Sequence, residues 1–487
     1  LPSKVFFRKS IHNKLKGGGA FLRYPKGIAV SCTILMKFNF EKFGYVDKGA
    51  LELGDLTIIC GPNNVGKTYV SYAIYGFIRH FKNLVDLSLA AEQISSLKNE
   101  GSLIIDLTQY QQQLPNYIKS ASKKFSQTLT EYFNAPDEFF SKAEVQFSYD
   151  NFLIDLSREF KQAAMFGQSE TLLFDKAPDE SKLSVALKVT GKSKLPNRIL
   201  DDVVGNAIGD CLFAGTLPKP FVVTSERTGI ALFYKELDIS KNLIMEHLSE
   251  SDKPNPIALL NSMRSRYARP IQDNIDVVRD YDSLSRHKSF LREARQTYRP
   301  VFDALYDLLG GSFKSVDKQV LYIPKKERGR DKVVVPLYIA SSSIKSLFLI
   351  DLYINCLAEK QGLLIIDEPE LNLHPDNQRR MAGLLARLVN AGVKVMVTTH
   401  SDYLIRELNN RIMLNNEIEN RQALMKSTKM VEEDILRPEQ VKAFSLKNSH
   451  SIEEVSVDRH GINMEIFDDL IADTNELADS IYYSIKD

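Results

Sequence analysis

The sequence is poor in cysteine, in long apolar runs and in net charge. Only Cys32, Cys60, Cys211 and Cys356 occur in 487 residues, far apart and with no C-x-x-C pair. That spacing argues against a disulfide scaffold and a thiolate zinc site, and it suits a reducing cytoplasm. No uninterrupted apolar stretch approaches the roughly 20 residues of a membrane span, so no membrane partner is expected. Lysine and arginine number 63 against 62 aspartate and glutamate, a balance without the excess that would point to nucleic acid or lipid. The length exceeds one compact core and predicts two to four lobes.

Residues 1–35 differ from the rest. They carry Lys4, Arg8, Lys9, Lys14, Lys16, Arg23 and Lys26, no acid, and the run Gly17-Gly-Gly19. The mildly apolar Gly27–Leu35, with Cys32, is short and interrupted for a leader. We read the segment instead as upstream sequence translated in frame, a non-native extension before Met36. Its seven positive charges take the net charge from −6 without it to +1 with it.

What is present begins with Leu56-Thr-Ile-Ile-Cys60-Gly61-Pro-Asn-Asn-Val-Gly66-Lys67-Thr68. Gly61, Gly66, Lys67 and Thr68 fill the G-x-x-x-x-G-K-[ST] pattern, after an apolar strand and at the start of a helix running to about Phe81. Such a loop turns its backbone N–H groups on one point, where the helix N-terminus adds partial positive charge. The pattern predicts a nucleoside triphosphate, with Lys67 on its β- and γ-phosphates and Thr68 on Mg²⁺. Gly61, Asn63, Asn64, Val65, Gly66, Lys67, Thr68 and the following Tyr69 are the expected contacts.

Strands are expected over Lys37–Phe43 and Ala50–Leu53, and again at Glu144–Tyr149, Leu183–Val189 and Phe221–Ser225. The stretch from Lys82 to Lys142 reads as helix with few strand signals. Residues 256–309 read as a long helical tract interrupted at Pro270 and Pro300. Between Leu259 and Pro300 this tract holds nine basic side chains against five acidic ones. Such an excess can track phosphates, so DNA is a possible partner. A solvated helix face laced with its own ion pairs is the better reading.

The second chemical stretch is Gly362-Leu-Leu-Ile-Ile-Asp367-Glu368-Pro-Glu370-Leu-Asn-Leu-His374-Pro375. It describes a buried parallel strand delivering two carboxylates to its C-terminal edge, where ligands bind in open α/β sheets. Asp367 would complete the Mg²⁺ shell with Thr68, and Glu368 would polarise the attacking water. A further strand, Val393–Thr399, ends in His400, which can bond the γ-phosphate or that water.

These three segments resemble the soluble branch of the ATP-binding cassette superfamily, which includes SMC-, RecF- and OLD-type ATPases. The Pro-Asn-Asn loop and the Asp-Glu-Pro-Glu…Leu-His-Pro run are most like the OLD and RecF-like members. That group includes ATPase subunits of anti-phage systems such as Septu, PARIS, Gabija and some retrons, and Thr224-Ser-Glu-Arg-Thr-Gly229 looks like a segment those ATPases carry. The specific motifs cover about 36–81 and 335–410.

The resemblance implies an α/β fold, a P-loop head with a mostly parallel sheet plus antiparallel strands and a large, mostly helical insertion. The implied domains are a first half of the head at 36–81 and an insertion at 82–330, a helical lobe with β segments of which part completes the head, then a second half at 331–465 and a C-terminal amphipathic helix at 466–487. It also implies a signature helix that closes on a partner's γ-phosphate. Ser341-Ser342-Ser343 is the best match, although the family's paired glycines are missing there. The family's glutamine loop has no clear counterpart.

OLD and Gabija nucleases carry an Asp-x-Asp metal motif after the cassette. The 77 residues after Asn410 contain none, and Asp468-Asp469 reads as the acidic face of an amphipathic helix. The implied role is an ATPase switch in which two or more copies share ATP sites. It would hydrolyse ATP with Glu368, His400 and Lys67 and act with a separate nuclease or toxin in phage defence. The alternative is a RecF- or SMC-like DNA-maintenance ATPase.

Overall fold

The structure, a computed structural model, describes residues 36–149, 156–166, 170–189, 195–213, 216–233, 267–317, 319–325, 333–447, 450–463 and 465–485, the last range without the side chains of 465–472. The expectations for residues 1–35 and 256–266 lie outside the described residues. The chain opens with β1 (Met36–Phe43), β2 (Val46–Leu53) and β3 (Leu56–Cys60), and then α1 (Lys67–Leu84). There follow α2 (Ala91–Glu100), β4 (Ser102–Asp106), α3 (Thr108–Phe133), α4 (Asp137–Phe140), β5 (Glu144–Tyr149), β6 (Phe160–Phe166), β7 (Glu170–Lys176), β8 (Lys182–Val189) and α5 (Asn197–Phe213). After β9 (Pro220–Val223) come α6 (Arg227–Phe233), α7 (Arg269–Arg279), α8 (Tyr281–Leu284), α9 (Phe290–Glu293), α10 (Arg299–Leu309), β10 (Gly311–Val316), β11 (Gln319–Pro324) and β12 (Val335–Pro336). The last part holds α11 (Ser342–Leu352), β13 (Leu363–Asp367), α12 (Pro375–Asn390), β14 (Lys394–Thr399), α13 (Asp402–Met413), α14 (Arg421–Thr428), β15 (Val441–Leu446), β16 (Ser451–Val455), β17 (Val457–Asp458), β18 (Gly461–Ile462) and α15 (Glu465–Tyr482).

Nine strands form one sheet in the order β5-β1-β2-β16-β15-β3-β14-β13-β9. Its half from β15 to β9 is parallel throughout, and β3 and β13 are buried at every residue. Strands covered on both faces need apolar side chains on both, hence the runs Leu-Thr-Ile-Ile-Cys and Leu-Leu-Ile-Ile before the polar ends. Alternate residues feed two cores. Ile59, Ile365 and Met396 join one with α1, α3 and α5, while Ile58, Ile366 and Val397 join the other with α10, α11, α12 and α13. The result is a three-layer α/β head.

The β5-β1-β2 half is antiparallel, and its inward face is aromatic, with Phe38 at 5.7 Å from Phe77 and 5.0 Å from Phe147. Its outer strand β5 is sealed by α3, where Ser126 Oγ accepts from Val145 N at 3.0 Å and Ser122 Oγ from Phe147 N at 3.1 Å. Covering edge donors in this way prevents stray strand pairing.

Three expectations change. In the stretch read as an insertion β8 joins a four-stranded antiparallel sheet, β4-β8-β7-β6, whose strand β4 lies where helix was expected. Pro270 and Pro300 start α7 and α10 rather than interrupt a long helix, because a first-turn proline loses no helical hydrogen bond. The expected strand Glu454–Asp458 is split, so β16 joins the large sheet while β17 pairs with β18.

Candidate functional site

β3, β14 and β13 are adjacent and end at one edge, which gathers segments 300 residues apart in sequence. After β3 the loop needs glycine twice. Gly66 has φ +99°, and at Gly61, φ +150°, a Cβ would stand 2.3 Å from the Leu446 carbonyl oxygen of β15. Inside the loop Lys67 folds back, its Nζ donating to Gly61 O at 2.9 Å and Pro62 O at 2.7 Å. Burial pulls the Lys67 pKa down, while Glu368 and Asp367 oppose that shift. Asn63 and Asn64 are exposed, and Val65 is buried.

Asp367 is fully buried at the end of β13. Thr68 Oγ1 donates to its Oδ1 at 3.2 Å and Oδ2 at 3.0 Å, and Thr398 Oγ1 also donates to Oδ1. Burial raises its pKa, because hydroxyls compensate a carboxylate less than water does. Among the described residues no cation pairs with it. A buried carboxylate facing a threonine hydroxyl, with no ion-pair partner among the described residues, fits a divalent cation there.

Glu368 adopts φ +51°, a left-handed conformation that is uncommon outside glycine. Its N–H is held by Thr398 O and Thr398 Oγ1, each at 3.1 Å. His400 Nδ1 lies 3.6 Å from Glu368 Oε1 and 3.5 Å from Glu370 Oε1. The imidazole draws Glu368 below the usual carboxylate range, and Glu368 in turn lifts His400. Glu370 is buried; its Oε1 accepts from Thr399 Oγ1 at 2.7 Å and His400 N at 2.9 Å, while Oε2 has no partner.

The glycine loop after β3, the Asp367-Glu368 end of β13 and His400 just after β14 thus meet at one sheet edge. A family model described as an AAA ATPase domain matches residues 35–405. The chain belongs to the AAA ATPase domain family. Solved structures similar to this AAA ATPase include the Smc head domain of Pyrococcus furiosus bound to the C-terminal domain of ScpA. It is 14% identical, with 90% of this chain and 100% of that chain covered and a TM-score of 0.34. The SMC head domain of Thermotoga maritima is 12% identical, with 87% and 99% covered and a TM-score of 0.28. No curated protein matches.

Other expected residues of this AAA ATPase sit as follows. Tyr69 packs in an aromatic cluster, 5.5 Å from Phe133 and 5.6 Å from Phe139. Ser341 is the N-cap of α11 and accepts from Ile344 N at 3.4 Å; its hydroxyl lies 3.3 Å from that of Ser343. Ser342 is the first residue of that helix. The hydrogen bonds of Ser341 and Ser343 thus stay within their own helix.

Thr398, Tyr45 and Arg227 also border these segments, and sequence reasoning did not single them out. Tyr45 is exposed on the β1–β2 turn beside Gly66. Arg227 is 1% exposed, and only its place in Thr224-Ser-Glu-Arg hinted at a role. Among the described residues of the arginine-rich tract, four arginines pair with its own acids: Arg269 with Asp273, Arg279 with Asp276, Arg286 with Asp282 and Arg299 with Asp303.

Proposed function

We propose that this AAA ATPase binds ATP with Mg²⁺ at the Gly61–Thr68 loop, hydrolyses it, and works as a nucleotide-dependent switch between copies. The observation that carries this is the hydroxyl bridge from Thr68 to the buried Asp367. Thr68 and Asp367 would hold the metal, and Mg²⁺ when bound would offset charge on the phosphate oxygens.

Lys67, with two of its three ammonium hydrogens on the loop carbonyls, keeps one for the β- and γ-phosphates. Glu368, held below the ordinary carboxylate range, is ionised at neutral pH and accepts the proton of the attacking water on its carboxylate. His400 orients that carboxylate and donates toward the γ-phosphate. Tyr45 offers the base an aromatic face.

Ser341, Ser342 and Ser343, at the N-terminus of an 11-residue helix, would meet the γ-phosphate of a second copy and make the assembly a dimer or higher homo-oligomer. The setting we propose, a phage-defence ATPase in the cytoplasm acting with a separate effector protein, rests on motif resemblance alone.

Glu368→Gln tests the reading. It should keep ATP affinity, lower turnover by about 10²- to 10⁴-fold, and raise the mass in size-exclusion chromatography when ATP is present. Hydrolysis at the parent rate would show that Glu368 is not the base.

A further inference from the structure

Arg227 enters none of the roles above, yet among the described residues it is the largest fully buried side chain. Its guanidinium reaches four main-chain carbonyls from three separate elements. Nη1 donates to Asp367 O at 2.7 Å and to Thr224 O at 3.2 Å, Nη2 to Glu368 O at 2.6 Å, and Nε to Ser346 O at 3.0 Å. Four of its five N–H donors are thereby used. Among the described residues it has no carboxylate within ion-pair distance, although Asp367, Glu370 and Glu368 all stabilise its charge at longer range.

The root of the side chain is fixed as well. β9 is an edge strand, and the buried Asn274 of α7 stands in for a missing neighbour. It accepts from Thr224 N at 3.0 Å and donates to Val222 O at 2.7 Å. The turn that delivers Arg227 is therefore held from both sides.

We infer that Arg227 is a positioning residue that clamps the catalytic turn to the serine-capped helix. One end of the fork holds the carbonyl of Glu368, whose left-handed backbone sets where its carboxylate points. The other end holds α11 at Ser346, three residues beyond Ser343. A rigid planar fork transmits displacement better than a flexible ammonium can. When the N-terminus of α11 takes up a phosphate, the Glu368 turn moves with it, so hydrolysis at one site reports engagement at the neighbouring helix. This coupling rests on the function proposed above; the clamp itself does not.

The full-length chain carrying Arg227→Lys, which keeps the charge and loses the fork, tests both. Turnover should fall tenfold or more while the dissociation constant for Mg·ATP stays within about threefold. Guanidinium ion at millimolar concentration should restore part of the turnover of Arg227→Ala. Equal losses of turnover and affinity, or no loss, would overturn the inference.

Hydrogen exchange without nucleotide judges the clamp even if the wild-type chain turns over no ATP, an outcome that would sink the proposed function instead. In Arg227→Lys, amide protection should drop together at Glu368 and along Ser346–Ile350. Loss confined to 224–233 would overturn the clamp. If the variants do not fold, the wild-type chain decides: the Glu368 and α11 amides should open in one step across a denaturant series, and independent opening refutes the coupling.

Discussion

Asp351→Asn should stabilise the protein at alkaline pH and lose that advantage in acid. Asp351 lies buried on α11, and its Oδ1 accepts from Asn355 Nδ2 at 3.0 Å. Burial pushes its carboxyl up to about 7 from 3.8, with Arg292 and Arg295 opposing the shift from a distance. A folded-state pKa raised above the unfolded value means that the native state binds this proton more tightly. The stability from that proton is complete below pH 3.8 and is lost as the pH rises toward 7. At about 1.4 kcal/mol per unit, the ionised carboxylate costs up to about 4 kcal/mol above neutrality. Asparagine keeps the shape and removes the charge. Chemical denaturation at a series of pH values should therefore show the variant gaining over the parent by up to ~4 kcal/mol at pH 8.5, with the gain shrinking steadily toward pH 4. A difference that does not vary with pH, or an asparagine variant less stable at pH 8.5, would refute the argument.

Gly76→Ala should destabilise the head although alanine favours helix. Its Cβ would stand 2.3 Å from Tyr132 Cζ, and that ring is fixed by the Tyr132 hydroxyl donating to Tyr72 O at 3.0 Å. The expected loss is about 1–3 kcal/mol in the denaturation midpoint analysis, and a more stable variant would contradict it. Tyr45→Ala should weaken Mg·ATP about five- to tenfold, because it removes a half-exposed aromatic side chain rooted next to the Gly66 turn. An unchanged dissociation constant in calorimetry would remove Tyr45 from the site.

The segments legible in the sequence were those whose chemistry is local. Gly61–Thr68 and Leu363–Glu368 announce strand, turn and polar terminus within a dozen residues, and the structure sets both at one sheet edge. The acids spaced three or four residues from arginines between 269 and 303 likewise foretold their own ion pairs. What escaped notice acts through the main chain or across long separations. Arg227 binds carbonyls 119 to 141 residues away, and a carbonyl carries no residue identity to read. β4 was hidden because Ser-Leu-Ile-Ile-Asp is short and lies between two helices, so only its pairing with β8 makes it a strand. The proline at 270 looked like a breaker because sequence alone does not show that the helix begins there.

The central claim is that one loop and one strand end hold a single triphosphate with its metal. Titration calorimetry of the folded chain with Mg·ATP, repeated on Lys67→Ala, tests it most directly. One nucleotide per chain is predicted for the parent and none for the variant, with both equally folded by circular dichroism. Undiminished binding by Lys67→Ala, or no binding by the folded parent, would contradict it.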